Sequence, residues 1–386
     1  LVALKLGLTS FGGPIAHLGY YRDEYVVKRR WLDEAAYAEL VALCQFLPGP
    51  ASTQVGIGIG TLRAGMVGGL AAWLGFTLPS AVLMTAFAFF VERFDVGSAG
   101  WVHGLKLVAV AVVAQAVWGM AQQFCTDRIR ATLALLAALA VLLVPTAFAQ
   151  VGMIIAAGII GWRLFPVAPG KAPVAHGPSA VSRRVGIACL ILFALLLFGL
   201  PLLAGGNPGG ALDLADRFYR VGALVFGGGH VVLPLLQTQV VTTGWVTDSQ
   251  FLAGYGVAQA MPGPLFTFSA FLGAIREPAP NGIPGAVVAL AALFLPSFLL
   301  VWGALPFWDT LRAHPIFRGA LAGINAAVVG ILLAALYTPI WTSAILRVTD
   351  FALALVCLGL LMIWRWAPWQ VVIVAALGGQ LLAMAT

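Results

Sequence analysis

Apolar residues run almost without interruption along most of the chain, in stretches long enough to cross a hydrocarbon core of about 30 Å. The period of two that strands of a membrane barrel would show is missing from runs such as AVLMTAFAFFV. The pattern therefore predicts an all-α polytopic membrane protein with about 13 hydrophobic segments. They lie near residues 1–20, 35–62, 64–91, 101–122, 131–147, 150–165, 186–204, 217–236, 250–275, 284–304, 317–338, 346–364 and 367–385.

Two of these segments are interrupted by the same three residues, Pro48-Gly49-Pro50 and Pro262-Gly263-Pro264. As one helix, residues 33–62 would be about 45 Å long at 1.5 Å per residue, which exceeds the membrane core. Proline removes an amide donor, and glycine permits non-helical backbone. We therefore predict two half-helices, 33–47 and 51–62. A plain proline kink is the competing interpretation, but a second copy with glycine-rich partners favours a broken helix.

The two halves of the chain repeat each other. Phe11-Gly12-Gly13 recurs as Phe226-Gly227-Gly228, and Leu78-Pro79-Ser80 recurs as Leu295-Pro296-Ser297. Six apolar segments lie in each half, and one extra segment, 186–204, lies between them. If each segment crosses once, the second half is inverted relative to the first, as in many secondary transporters. The fold class is thus two inverted-topology repeats with broken helices.

The domain organisation follows from this repeat. We expect a first membrane repeat over 1–165, a linker over 166–184, a connecting transmembrane helix over 185–204 and a second, inverted repeat over 205–386. The linker region is rich in proline and carries basic residues without an acid, so the positive-inside rule favours the cytoplasm. These basic residues are Arg163, Lys171, Arg183 and Arg184.

Composition supports the membrane class and excludes others. The chain is 61% hydrophobic and only 9% charged, whereas soluble domains carry about 25% charged residues. The net charge of +7 fits basic loops better than a nucleic-acid surface, because no basic stripe with interleaved aromatics occurs. The four cysteines are far apart, and the spacing of His17 and His230 supports no metal site. We expect neither a cofactor nor an enzyme, because no metal motif or facing carboxylate pair is visible.

The predicted site binds an anion. A half-helix that begins inside the membrane presents unpaired amides and the positive end of its dipole, and both attract negative charge. Glutamines before each break and hydroxyls after the first break add donors, although Gln45 and Gln259 could equally bond between helices. The predicted anion-binding residues are Gly12, Gly13, Gln45, Pro48, Gly49, Pro50, Ser52, Thr53, Gly227, Gly228, Gln259, Pro262, Gly263 and Pro264.

Four charged residues are candidates for coupling or counter-charge. Glu39 is the best-placed carboxylate for proton coupling, although a structural role is the simpler interpretation. Lys106 begins an apolar segment and could face a cavity or extend to the membrane surface. Arg63 and Arg276 follow the two half-helices at similar distances, so they either attract anions at an entrance or anchor helix ends.

Four stretches carry a resemblance to a known family: GLTSFGGPIAHLG, WLDEAAYAELVALCQFLPGPASTQ, FGGGHVVLPLL and YGVAQAMPGPLFTFSAFLG. They resemble the chromate ion transporter family in its long, two-domain form. The resemblance implies efflux of chromate from the bacterial cytoplasm across the inner (plasma) membrane, with sulfate as a close analogue. The alternatives are a carrier of sulfate or another oxyanion and a passive anion channel. The expected partners are chromate and the lipid bilayer, without nucleic acid, and a homodimer is left open.

Overall fold

The computed structural model describes residues 1–11, 13–94, 99–144, 147–165, 181–225, 232–308 and 315–384. These residues form helices joined by turns, without a strand, as the hydrophobic pattern predicts. Within the described ranges, five helices are long and apolar enough to cross a membrane, and the prediction of an all-α multi-pass protein is confirmed. They are Ala51–Arg93, Gly100–Phe124, Arg183–Ala204, Gly282–Phe307 and Gly319–Ala344.

The first half contains seven helices in its described residues. They are α1 (Val2–Thr9), α2 (Gly13–Tyr21) with a π-helical extension (Arg22–Lys28), α3 (Glu34–Phe46), α4 (Ala51–Phe94), α5 (Gly100–Phe124), α6 (Arg128–Leu143) and α7 (Ala147–Leu164). Most of the predicted linker, 166–180, lies outside the described residues. The connecting helix is α8 (Arg183–Ala204), and it begins where the Ser182 side chain accepts a hydrogen bond from the amide of Val185.

The second half follows the same order. It contains α9 (Ala211–Leu224), α10 (Val232–Val240), α11 (Asp248–Ala260), a 3-10 turn (Leu265–Thr267) that leads into α12 (Phe268–Ile275), and α13 (Gly282–Ala304) with a 3-10 end (Leu305–Phe307). It continues with α14 (Pro315–Ala335), helical turns (Leu336–Trp341 and Thr342–Ala344), α15 (Val348–Met362) and α16 (Pro368–Met384).

Each Pro-Gly-Pro turn reverses the direction of the chain. A Cβ on Gly58 of α4 would lie 2.7 Å from the side chain of Leu40 on α3, which is only possible if the two helices fold back on each other. In the second half, the rings of Phe251 on α11 and Phe268 on α12 lie 5.1 Å apart. The expectation that each broken segment crosses the membrane once is therefore wrong. These segments are helical hairpins whose two arms pack side by side.

The first two helices of each half also pack side by side as a hairpin. Lys5 on α1 pairs with Glu24 after α2, with Nζ and Oε2 3.2 Å apart. The guanidinium of Arg217 on α9 donates to the carbonyl of Gln239 on α10 at 3.2 Å. The first contact joins α1 to the extension of α2, and the second joins α9 to α10. Each half therefore begins with two consecutive hairpins.

A second reversal divides α4 into two arms. Ala64 and Gly65 have non-helical backbone angles, and Gly60 in the first arm (51–63) meets Gly68 in the second arm (66–94) so closely that a Cβ on either would overlap the other's carbonyl. Gly273 of α12 and Gly285 of α13 meet in the same way in the second half. The second arm of α4 and α13 are therefore matching long helices that follow the hairpins.

The bases of the two hairpin pairs lie at opposite ends of α13. Gly285, near its start, touches Gly273 at the base of the α11–α12 hairpin. Trp302, near its end, donates an indole hydrogen bond of 2.9 Å to Thr61 at the base of the α3–α4 hairpin. Gly285 and Trp302 are about 26 Å apart along the helix at 1.5 Å per residue. The hairpin pairs thus approach the centre from opposite directions.

The halves also exchange helices. α5 of the first half packs against α15 and α16 of the second, and α14 of the second half packs against α6 and α7 of the first. Backbones touch at these crossings, because a Cβ on Gly104 would overlap the carbonyl of Ala375 and a Cβ on Gly323 would overlap that of Ala157. Small residues allow such close approach between membrane helices. The two halves therefore form one interlocked body.

Candidate anion-binding site

The tips of the four hairpins meet in pairs at the centre of the fold. The amide of Gly49 donates to the carbonyl of Val225, which ends α9, at 2.7 Å. The amide of Gly263 donates to the carbonyl of Ser10, which ends α1, at 2.9 Å. Each hydrogen bond joins a tip of one half to a tip of the other half. The helix breaks predicted in the two halves thus lie next to each other in the fold.

Glycine is required at both Pro-Gly-Pro tips for two reasons. Gly49 has a φ of +124° and Gly263 a φ of +93°, a region that side chains with a Cβ rarely adopt. A Cβ on Gly49 would lie 3.0 Å from the Ser297 hydroxyl, and one on Gly263 would lie 2.9 Å from the Ser80 hydroxyl. Each tip therefore packs against the serine of the Leu-Pro-Ser motif from the opposite half.

The start of α4 presents unpaired amides to this junction. Pro50 precedes the helix, and its carbonyl accepts the amide of Gln54. Within the part of the chain that the structure describes, the amides of Ala51, Ser52 and Thr53 donate to no backbone carbonyl. Orphan amides at a helix start carry partial positive charge and bind anions. The predicted donors are therefore present at the start of α4, next to the Pro-Gly-Pro tip.

Buried polar side chains surround the start of α4. Ser52 and Thr53 are 3% and 1% exposed, and His17 on α2 is 1% exposed. The Nδ1 atom of His17 lies 3.3 Å from the hydroxyl oxygen of Ser52. The hydroxyl of Thr53 has no hydrogen-bond partner among the described residues, while Gln54 donates to the carbonyl of Pro48 at 2.7 Å and holds the tip. These groups form a compact polar cluster without a fixed charge.

The matching position in the second half is more apolar. By sequence offset, Val225 replaces Ser10 and Phe266 replaces Ser52, and Phe266 is 2% exposed. The turn after Pro264 keeps one hydroxyl in a local bond, because Thr267 donates to the Pro264 carbonyl at 2.8 Å. The start of α4 is therefore the more polar of the two helix starts, as the sequence indicates.

Only some of the remaining uncharged candidate residues lie at the junction of the hairpin tips. Gln45 is exposed on α3 and lies outside the buried polar cluster. Gln259 is half-buried and shares a hydrogen bond with the Tyr255 hydroxyl. Gly13 begins α2 with a φ of +79°, and Pro262 lies in the second tip. Gly12, Gly227 and Gly228 lie outside the described residues.

The two arginine candidates lie at the hairpin bases rather than at the tips. The guanidinium of Arg63 is 5.4 Å from the ring centre of Trp31. Arg276 is stacked 3.7 Å over the Trp245 ring and donates to the Gly209 carbonyl at 2.6 Å. Cation–π contacts of this kind fix a side chain against its neighbour. Each arginine thus contacts the tryptophan at the base of its own hairpin.

The other charged candidates also lie away from the tips. Glu39 is half-buried on α3. Lys106 is half-buried on α5 and interacts electrostatically with Asp248 at the start of α11. Among the residues that the structure describes, no group of three or more His, Cys, Asp or Glu side chains could hold a metal ion. The polar groups at the junction of the tips are thus neutral hydrogen-bond donors and helix ends.

Sequence reasoning left three residues of the junction without a role: Ser80, Ser297 and His17. The two serines belong to the Leu-Pro-Ser motif, whose recurrence at an offset of 217 residues is visible in the sequence. That signal marks the residues as repeated but does not say that each packs against the opposite half. The histidine follows the first glycine turn by four residues, which gives no spacing that indicates a ligand.

Together, the fold and its central junction define a multi-pass helical membrane protein in which paired hairpins from two related halves meet tip to tip. The family model described as chromate transporter matches residues 1–162 and 212–380. The chain belongs to this chromate transporter family, as the four sequence stretches indicate.

Several curated relatives cover most of the chain. The chromate transport protein of Pseudomonas aeruginosa is 29% identical over 335 residues, which is 85% of this chain and 77% of the relative. The chromate transport protein of Cupriavidus metallidurans is 29% identical over 365 residues, 93% of this chain and 86% of the relative. The probable chromate transport protein of Synechococcus elongatus is 28% identical over 335 residues, 85% and 80% of the two chains. No solved structure gives a significant match.

Proposed function

We propose that this protein is a secondary transporter that exports chromate, a tetrahedral oxyanion, across the bacterial inner membrane by alternating access. The observation that carries the proposal is the meeting of four hairpin tips at the start of α4. There the orphan amides of Ser52 and Thr53 and the positive end of the helix dipole face a buried polar cluster. The names of the relatives, chromate transport protein, support this choice of substrate.

Inverted topology is part of the proposal. Each hairpin returns to the side from which it came, so the crossings of the first half are the second arm of α4, α5, α6 and α7. With α8 this makes five crossings, an odd number, and the second half then begins on the opposite side. The position of the two hairpin bases at opposite ends of α13 supports the inversion. Rocking of one half against the other around the tips would expose the site alternately.

The membrane potential favours export of a dianion. One elementary charge gains about 2.3 kcal/mol per 100 mV, so two charges gain about 4.6 kcal/mol when they leave an interior that is negative. At about 1.36 kcal/mol per factor of ten, this corresponds to a gradient of about 2000-fold. Export therefore runs downhill without a coupled ion, and coupling through Glu39 or Lys106 would only modify it.

The contacts at the tips bear on the two alternatives. An open anion channel would need a continuous path, whereas the bonds from Gly49 to Val225 and from Gly263 to Ser10 join the halves across the centre. This favours a carrier. A sulfate carrier stays the second candidate, because sulfate has the same tetrahedral shape and charge and backbone amides offer no chemical basis for separating the two.

Uptake of radiolabelled chromate into inverted membrane vesicles tests the proposal. We expect saturable accumulation that depends on the imposed potential and is reduced by excess sulfate. A parallel sample with the proton gradient collapsed separates the effect of the potential from that of protons. Because a channel would also accumulate the dianion in response to the potential, the distinguishing result is the rate: uptake that rises linearly with chromate concentration, without saturation, would favour the channel. Transport of sulfate without chromate would retain the architecture and replace the substrate.

A further inference from the structure

A buried histidine adjoins the proposed anion site. His17 lies on α2 and is 1% exposed. Its Nδ1 atom lies 3.3 Å from the Ser52 hydroxyl, at the start of α4, and its Nε2 atom has no hydrogen-bond partner among the described residues. The imidazole also lies beside the Ser10 carbonyl, which accepts the amide of Gly263 from the opposite half. His17 therefore contacts two first-half residues, Ser10 and Ser52, beside the point where the tips of the two halves meet.

We propose that His17 is a ligand of the transported oxyanion and that it takes up a proton when a dianion binds. This inference rests on the function proposed above and extends it, because it assigns to one residue the charge that balances the substrate. The bound anion would lie between the orphan amides of Ser52 and Thr53 and the imidazole, and Nε2 would donate to one of its oxygens.

The charge balance at the site requires such a group. A helix start supplies the equivalent of about half a positive charge, which leaves most of a dianion uncompensated in a site from which water is excluded. A buried imidazole without a carboxylate partner is neutral, and a negative charge within about 4–6 Å favours its protonated form. The resulting charge-assisted hydrogen bond is about twice as strong as a neutral one.

The Ser52 hydroxyl is suited to both protonation states of His17. A hydroxyl carries one donor and two acceptor positions, and its hydrogen can rotate. It therefore donates to a bare Nδ1 and accepts from a protonated Nδ1 without movement of the oxygen. The 3.3 Å separation between Nδ1 and the oxygen fits either arrangement, so protonation does not require the helices to move.

No carboxylate among the described residues contacts His17. The nearest elements carry mainly phenols: Tyr21 on the same helix, Tyr25 in the π-helical extension, and Tyr37 on α3, whose hydroxyl donates to the Leu18 carbonyl at 2.6 Å. Glu24 in the extension is occupied by Lys5 at 3.2 Å and Arg29 at 2.9 Å. The charged residues of α4, which are Arg63, Glu92 and Arg93, lie toward the far ends of its arms.

Proton uptake on binding can be measured by calorimetry. The purified full chain in lipid nanodiscs is titrated with sulfate and with chromate in two buffers of different ionisation enthalpy, and the difference in heat gives the number of protons bound. We expect uptake that approaches one proton per anion near pH 7, where the buried imidazole is neutral before binding and the bound dianion favours its protonated form. His17→Gln keeps an amide donor but cannot be protonated, so its uptake should fall to zero.

His103→Gln is the matched control. His103 lies on α5 outside the junction and pairs with Asp350 at 2.9 Å, so its replacement should leave the uptake at the wild-type value. Anion binding by the wild-type protein without proton uptake, or equal uptake in His17→Gln, would overturn the role of His17. Absence of uptake in the wild-type protein would overturn the proposal even if a variant fails to fold. If neither anion binds the wild-type protein, the proposed anion site itself falls, and this inference with it.

Discussion

Replacement of Gly263 by alanine tests whether the meeting of the hairpin tips is needed for transport. Gly263 has a φ of +93° and donates its amide to Ser10 of the other half. An added Cβ would lie 2.9 Å from the Ser80 hydroxyl and 3.0 Å from the Phe76 carbonyl, so the neighbouring backbone would have to shift. Gly244→Ala is the matched control, because Gly244 also has a positive φ, of +74°, but a Cβ there meets no atom within 4 Å.

The expected effect has two parts. A left-handed conformation costs a residue with a Cβ about 1–2 kcal/mol, and overpacking of a closed site costs about 1–3 kcal/mol. Gly244→Ala carries only the first cost, in a loop. Gly263→Ala carries both costs at the junction, so at least about 2 kcal/mol opposes the joined tips. At about 1.36 kcal/mol per factor of ten, transport should fall by about 30-fold or more.

The assay is chromate uptake into inverted vesicles, normalised to the amount of protein in the membrane by immunoblot. We expect Gly244→Ala to stay within about threefold of the wild type, since one strained loop residue costs about 1–2 kcal/mol of stability away from the site. Equal transport by Gly263→Ala and Gly244→Ala, with Gly263→Ala present in normal amount, would show that the meeting of the tips is not needed for transport.

Three further results are expected. Thr53→Val preserves the shape of the side chain but removes a buried hydroxyl that has no partner within the described part of the chain. KM for chromate should rise by about 10-fold or more, because that is what the loss of a hydrogen bond to a charged group costs. Ser269→Ala, in the second half, is the control and should leave KM unchanged in the same uptake assay. Arg276→Met removes the cation–π contact with Trp245 and the hydrogen bond to the Gly209 carbonyl, which together stabilise the fold by about 1–3 kcal/mol. The thermal unfolding midpoint should therefore fall without a change in KM, and a raised KM would instead indicate an anion contact. Gly323→Leu should keep the protein from accumulating in the membrane on an immunoblot, whereas Gly119→Leu, where a Cβ meets no atom within 4 Å, should accumulate normally.

The positions of the helix breaks could be predicted from sequence, but the direction of the chain after them could not. Proline and glycine act on the local backbone, so the predicted half-helices 33–47 and 51–62 agree with α3 and the first arm of α4. Whether the chain continues or turns back depends on contacts between distant residues, such as Gly58 with Leu40. An apolar segment of a given length can cross the membrane once or turn back as a hairpin. A count of one crossing per apolar segment was therefore too high.

Which residues of the site could be predicted also depends on whether local or distant contacts place them. Ser52 and Thr53 were predicted because a helix start exposes its own amides, whatever surrounds it. Ser297 could not be assigned, because its contact with Gly49 exists only after the two halves have interlocked. Gln45 was placed at the site by its distance from the break, but the face of α3 that it occupies is set by packing, and it is exposed.

If the hairpin tips hold the anion at the start of α4, the anomalous scattering of chromium will locate the anion there. Crystals of the protein soaked in chromate would be measured at the chromium absorption edge. We expect a peak within about 4 Å of the amides of Ser52 and Thr53 and of Nε2 of His17, the range over which a charge and its ligand interact strongly. Chromium beside Arg63 or Arg276 at the hairpin bases, with none at the tips, would contradict this placement of the anion.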